Sequence, residues 1–193
     1  NDELDIAFSI HNQETKGEEE LVKLKTGSMF EWLKSLNADK FFWKELTSMK
    51  IFEKLKSHTN IILAHNVFTS LEEIQKIESI HNNIYWCTCP KSNLYIEGRT
   101  PQYNYFKDKK LCIGTDSLAS NEELSILEEM KIIASNSSFS LHELLVFGCY
   151  NGAKALGFSE LGSFEKNKKP GINLIQELEK LHLKNASFLQ VIL

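Results

Sequence analysis

Apolar residues along the chain gather in short runs separated by longer amphipathic stretches. Four runs read as strands: Asp5-Ile-Ala-Phe-Ser-Ile10, Asn60-Ile-Ile-Leu-Ala64, Asn83-Ile-Tyr-Trp-Cys-Thr-Cys89, which Pro90 stops, and Leu111-Cys-Ile-Gly114. Between them the apolar positions recur at helical spacing. The stretch from Glu18 to about Asn37 carries Leu21, Leu24, Met29, Trp32 and Leu33, and a helix opened by Ser70 carries Ile74, Ile77 and Ile80. Two more helices are predicted over Glu122–Ser135 and Ser140–Leu156. Ser70-Leu-Glu-Glu73 and Ser140-Leu-His-Glu143 both place a glutamate three residues after a hydroxyl, the pattern of a capping box. The Lys-rich loop Glu165-Lys-Asn-Lys-Lys-Pro170 precedes a last short strand, Gly171-Ile-Asn-Leu-Ile175.

Repeated strand–helix units imply parallel strands joined by right-handed crossovers. The strands are apolar on both faces, as expected where helices cover the sheet. A complete (β/α)₈ barrel takes roughly 250 residues. Four strands within the first 115 or so residues of a 193-residue chain therefore predict half of one. Residues 1–160 are expected to form the half-barrel, and 161–193 a remnant of a small β-structure with the C-terminal tail. A doubly wound nucleotide-binding domain would need a glycine-rich phosphate loop after a strand, and the sequence contains none.

The net charge of −4 gives no basic footprint for nucleic acid, and no apolar stretch reaches the roughly 18 residues of a membrane span. Cys87, Cys89, Cys112 and Cys149 match no zinc-ribbon spacing; they read as small core residues of a reducing compartment, which points to the cytoplasm. The chain opens on Asn rather than Met and almost at once enters a strand, so a start inside a larger protein is expected.

Polar residues at strand ends carry the candidate chemistry. Leu111-Cys-Ile-Gly-Thr-Asp116 ends an apolar strand on a carboxylate just before a helix, the place where α/β barrels keep catalytic groups. An ionised Asp there is costly to bury unless it is paired or binds metal, and Ser120 or Asn121 is better placed to cap the following helix. His11 and Glu14 follow the first strand, and His65 follows the second. A neutral imidazole is a good metal ligand, and a nearby carboxylate can move a proton between water and a leaving group. His58, His81, His142 and His182 read as solvated, and Phe41-Phe42-Trp43 as packing.

In order, these passages resemble the metal-dependent amidohydrolase superfamily, in its deaminase and chlorohydrolase branch. Ser9-Ile-His-Asn-Gln-Glu14 with Glu18-Glu19-Glu20 looks like the fifth barrel strand and its acidic helix start. Leu63-Ala-His-Asn-Val-Phe-Thr-Ser70 looks like the sixth, Cys89-Pro-Lys-Ser-Asn93 like the loop after the seventh, and Leu111 to Asn121 with Glu128-Glu129-Met130 like the eighth and its helix. Asn151-Gly-Ala-Lys-Ala-Leu-Gly157 and Gly162-Ser-Phe-Glu-Lys166 extend the likeness, with Asn167 in place of a glycine and Pro170-Gly171 in place of Ala-Asp.

The resemblance implies the C-terminal half of a TIM barrel, strands five to eight, and one divalent metal, zinc or in some members iron. His11 would be a metal ligand, Glu14 the proton shuttle, and His65 the group that orients water or polarises the scissile group. Asp116 would bind the metal and accept the water's first proton. Asn93, Arg99 and Trp86, with Tyr95, are the candidates for substrate contacts; Arg99 can pair a carboxylate or serve the surface. The implied activity is hydrolysis of a non-peptide C–N bond, or a C–halogen bond, in a small cyclic or amidine-like substrate. The family's first-strand His-x-His is absent from the sequence. The expected partner is therefore the N-terminal half of the same protein, with this chain alone inactive, and homo-oligomer formation is left open. The alternative is a catalytically inactive half-barrel that pairs with a partner chain through its exposed strand edges.

Overall fold

The structure, a computed structural model, describes residues 7–38 and 60–192. The beginning of the expected first strand, the Phe41-Phe42-Trp43 cluster and His58 lie outside the described residues. Four parallel strands form one sheet in sequential order: β1 (Phe8–Asn12), β2 (Ile61–His65), β3 (Ile84–Thr88) and β4 (Leu111–Ile113). Helices alternate with them: α1 (Lys16–Glu19), which widens into a turn over Glu20–Leu24, α2 (Gly27–Ser35), α3 (Leu71–Ile80), α4 (Pro90–Glu97), α5 (Ile126–Asn136), α6 (Leu141–Leu145) and α7 (Gly152–Ala155).

Alternation along the strands sorts their side chains between two environments. Ile61, Leu63, Ile84, Trp86, Leu111 and Ile113 pack with Ile74 and Ile77 of α3, with Leu127, Met130 and Ile133 of α5, and with Leu144 and Phe147. Each fully buried aliphatic side chain of that layer contributes about 1.5–3 kcal/mol. On the opposite face Ile62, Tyr85 and Cys112 form a smaller cluster with Ala155, with Cys87 at its margin. The register aligns His11 with Ala64, Ala64 with Cys87 and Cys87 with Cys112, so His11 belongs to this second face.

Both capping boxes form: Ser70 Oγ accepts the Glu73 N–H at 3.2 Å while Glu73 accepts the Ser70 N–H at 2.9 Å, and Ser140 and Glu143 do the same. Three boundaries differ from expectation. The predicted helix from Glu18 breaks at Lys25–Gly27, because Lys25 and Gly27 both adopt positive φ. Pro90 opens α4 instead of leading into a loop; a first-turn residue needs no N–H partner, and proline has no N–H to lose. The helix after β4 starts at Ile126, capped by Ser125, since Ser120 and Asn121 are committed to other bonds.

β1 and β4 are the outer strands of this sheet among the described residues. Part of the β4 edge is covered: Asn151 Nδ2 donates to the Leu111 carbonyl at 2.7 Å. The C-terminal residues form an antiparallel pair, β5 (Asn173–Gln176) with β6 (Phe188–Val191), and Ile175 and Leu183 pack against the main core. Asn167 adopts φ +71°, a left-handed conformation that asparagine tolerates better than most residues. Among the cysteines, Cys89 and Cys112 are buried as expected, Cys87 is half-buried and Cys149 is exposed. His81, expected to be solvated, is buried, and its Nδ1 accepts the Asn83 N–H at 3.2 Å. No helix of the described residues is long and apolar enough to cross a membrane.

Candidate metal centre

Parallel strands bring their carboxyl ends to one edge of a sheet, and the polar residues predicted from the sequence lie there. His11 is the fourth residue of β1, His65 ends β2, and Asp116 follows β4 by three residues. One ligand atom from each of His11, His65 and Asp116 lies within 4.8 Å of the other two. The His11 and His65 rings stand 4.8 Å apart, centroid to centroid. His11 is exposed, Asp116 half-buried and His65 almost completely buried.

By strand alternation His65 would follow Ile61 and Leu63 to the helix-covered face. It instead meets His11. Its φ of +75° and the +57° of Asn66 break the pleat at that point, and Asp116 is also left-handed at +57°. Non-glycine residues in this conformation store about 1–3 kcal/mol of strain each, and the surrounding bonds must hold them there. Asn66 is held on three sides: its N–H donates to Asn12 O, and its Nδ2 to Leu63 O at 2.7 Å and Cys87 O at 3.0 Å. Asn12 Nδ2 in turn donates to Asn66 Oδ1 at 3.0 Å.

His65 Nδ1 lies 2.9 Å from Asn93 Oδ1 and 3.6 Å from Glu14 Oε1. Both neighbours are acceptors, so these contacts favour the tautomer with its proton on Nδ1. Glu14 is half-buried, and its own N–H is held by Glu18 Oε2 at 2.9 Å while Glu18 Oε1 accepts the Gln13 N–H. Asp116 Oδ2 has the hydroxyls of Ser92 and Ser120 at 2.7 and 2.8 Å. Burial pushes the Asp116 carboxyl up. The bonds from Ser92, Ser120 and the Ser117 backbone, with the field of His65, outweigh burial and hold it below the ordinary aspartate value.

The expected substrate-contact residues divide. Asn93 is at the site but completely buried, with its oxygen committed to His65 and its Nδ2 without a hydrogen-bond partner among the described residues. Arg99 is exposed, its guanidinium 4.9 Å over the Phe68 ring in the loop after β2. Trp86 is a correction: it faces the helices, fully buried, with its ring against Phe106 and its Nε1 donating to Glu78 at 3.1 Å. Its place in the strand, in register with Leu63 and Leu111, puts it on the layer away from His11. Tyr95 is 74% exposed, on α4.

Glu129 was not among the sequence candidates. It is completely buried on α5, and its oxygens accept the Lys91 N–H at 2.8 Å and Asn121 Nδ2 at 2.7 Å. Burial pushes its carboxyl above the ordinary glutamate value, opposed by those two bonds. Two adjacent acids on one helix, with Leu127 and Met130 beside them, gave the only signal: Glu129 falls on the apolar face and Glu128 does not.

The amidohydrolase family model matches residues 1–190. The chain belongs to the amidohydrolase family. Adenosine deaminase of Helicobacter pylori is 33% identical over 141 residues, 70% of this chain and 34% of that protein. The crystal structure of Helicobacter pylori aminofutalosine deaminase with methylthio-coformycin aligns over 90% of this chain and 44% of that one, at TM-score 0.76 and 27% identity. The zinc complex of atrazine chlorohydrolase from Arthrobacter aurescens shares the fold, at TM-score 0.61 and 18% identity over 85% of this chain. The deaminase relatives place the chain in the family's deaminase and chlorohydrolase branch. The chain spans roughly a third to a half of the length of these proteins.

Proposed function

We propose that this chain carries half of the active site of a metal-dependent hydrolase that cleaves a non-peptide C–N bond in a small cyclic or amidine-like substrate. The observation that carries the reading is the convergence of His11, His65 and Asp116 within 4.8 Å at the carboxyl ends of three strands. The His11 imidazole and the Asp116 carboxylate offer nitrogen and oxygen donors suited to zinc, with iron as the second choice, and His65 stands beside them. In this reading the four strands are the fifth to eighth of a TIM barrel, and the N-terminal half of the same protein supplies the remaining ligands and closes the sheet edges. Residues 161–193 are the small β-structure beside it. The names of the relatives point to an adenine-bearing nucleoside, whose ring amine is part of an amidine.

His11 and Asp116 would hold the metal. When bound, the ion supplies a Lewis acid that makes water a nucleophile at neutral pH. The chain's own residues then divide the proton work. Asp116, kept ionised by its two serines, accepts a proton from the attacking water. Glu14, anchored through its backbone by Glu18, carries a proton to the leaving nitrogen. His65, with Nδ1 tied to Asn93, presents Nε2 towards the reacting group. Arg99, exposed with its guanidinium over Phe68, would meet an anionic substituent. In the full-length protein, Asp116→Ala is expected to abolish release of ammonia from the substrate. Undiminished turnover in that variant would refute the assignment.

A further inference from the structure

We propose that Glu129, to which the motifs assign no role, is the positioning residue that locks the first turn of α4, which carries Asn93, against the loop that carries Asp116; the inference rests on the metal-hydrolase reading above. One carboxylate grips both segments. Its Oε2 accepts the Lys91 N–H at 2.8 Å, in the first turn of α4. The N-cap residue of that helix, Cys89, makes no side-chain capping bond, so Glu129 supplies the missing acceptor from another helix. Its Oε1 accepts Asn121 Nδ2 at 2.7 Å, and that same amide group donates to the Thr115 carbonyl at 2.8 Å.

Each grip is one residue away from a site group. Ser92, next to Lys91, reaches Asp116, and Asn93 after it reaches His65. Thr115 precedes Asp116, and Ser120, next to Asn121, bonds Asp116 from the other side. Ser92 and Ser120 also stand 2.9 Å apart, so α4 and the loop after β4 meet directly at the Asp116 carboxylate.

A charge is not needed to fill this place, since Leu127, Met130 and Ile133 of the same helix fill theirs with hydrocarbon. A fully buried carboxylate is costly unless its oxygens are satisfied. Here each oxygen faces an N–H, so only the carboxylate form satisfies both; an amide would turn its NH₂ onto a donor. The Lys91 ammonium pairs with Glu123 at 3.1 Å, leaving Glu129 to the two N–H groups. Partners beyond the ligands of a metal commonly tune its affinity by 10–100-fold.

The test uses the full-length protein. Zinc affinity is measured by competition with a chromophoric chelator, and the cobalt(II)-substituted protein gives a visible spectrum. Glu129→Gln is compared with Ile133→Ala, a core truncation on the same helix. Glu129→Gln is expected to weaken zinc about tenfold or more and to shift the cobalt bands. Ile133→Ala is expected to lower Tm at least as much while leaving affinity and bands unchanged. Where Glu129→Gln does not fold, Asn121→Ala severs one of the two grips and is expected to weaken zinc in the same direction. Zinc affinity within twofold of wild type in the folded variant, or equal weakening by Ile133→Ala, overturns the inference alone. Wild-type protein that binds no divalent metal overturns the hydrolase reading, and this inference with it.

Discussion

His65 Nδ1 and Asn93 Oδ1 stand 2.9 Å apart, joining the end of β2 to the first turn of α4 across 28 residues of sequence. The bond favours the tautomer that leaves Nε2 unprotonated, in a histidine that is 1% exposed. Removing the oxygen leaves a buried N–H unpaired, at a cost of about 1–3 kcal/mol. Asn93→Ala in the full-length protein is therefore expected to lower kcat about 10–100-fold, with Asn93→Asp recovering much of it. Steady-state kinetics on the three proteins checks the order.

Trp86 separates stability from catalysis. Its ring packs among the core side chains and its indole N–H meets Glu78, on the face turned away from His11. Trp86→Phe is expected to cost about 1–3 kcal/mol of stability with KM unchanged within error. A raised KM at unchanged stability would return Trp86 to the substrate pocket.

Glu73 gives the fold an acid-dependent contribution. Burial raises its carboxyl, but bonds from the Ser70 N–H and hydroxyl, Lys23 and Gln13 outweigh burial and hold it below the ordinary value. With the folded value lower than the unfolded one of about 4.3, its stabilisation is complete above the unfolded value and is lost as pH falls through the folded one. Glu73→Gln is expected to cost about 1 kcal/mol at pH 7, and the gap in Tm to wild type should shrink from pH 6 towards pH 3. A gap constant with pH would contradict the assignment.

Two left-handed glycines should respond differently to alanine. At Gly162, φ is +86° and a Cβ would stand 2.9 Å from Ala153 Cβ and 3.0 Å from both Cys149 O and Tyr150 Cα, none of which can swing away. At Gly98, φ is +65° and a Cβ would meet nothing within 4 Å. Gly162→Ala is expected to cost about 2–4 kcal/mol and Gly98→Ala about 1 kcal/mol, read by denaturant unfolding.

Features set by residues close along the chain are legible in the sequence, and features set by tertiary packing are not. The four strands were legible because short apolar runs and punctuation at Pro90 and Gly114 are local, and both capping boxes were legible for the same reason. The placement of His11, His65 and Asp116 at strand ends was legible too, since it needs only the strand boundaries. Trp86 was misplaced because proximity in sequence to the loop after β3 says nothing of which face a strand residue takes; the register with Leu63 and Leu111 decides that. Glu129 was invisible because its partners, Lys91 and Asn121, lie 38 and 8 residues away and only the packing of α5 against α4 and the loop after β4 brings them together. The break at Lys25–Gly27 was hidden by a continuous helical spacing from Leu21 to Leu33 that does not reveal a backbone turn.

The central claim is that His11 and Asp116 belong to the centre of a metal-dependent hydrolase. Elemental analysis of the full-length protein, paired with ammonia release from an adenine nucleoside before and after chelation, tests it most directly. About one zinc or iron per chain, lost on chelation together with activity and restored by adding zinc, is the result expected. Full activity after the metal has been removed, or protein that takes up no divalent metal, would contradict it.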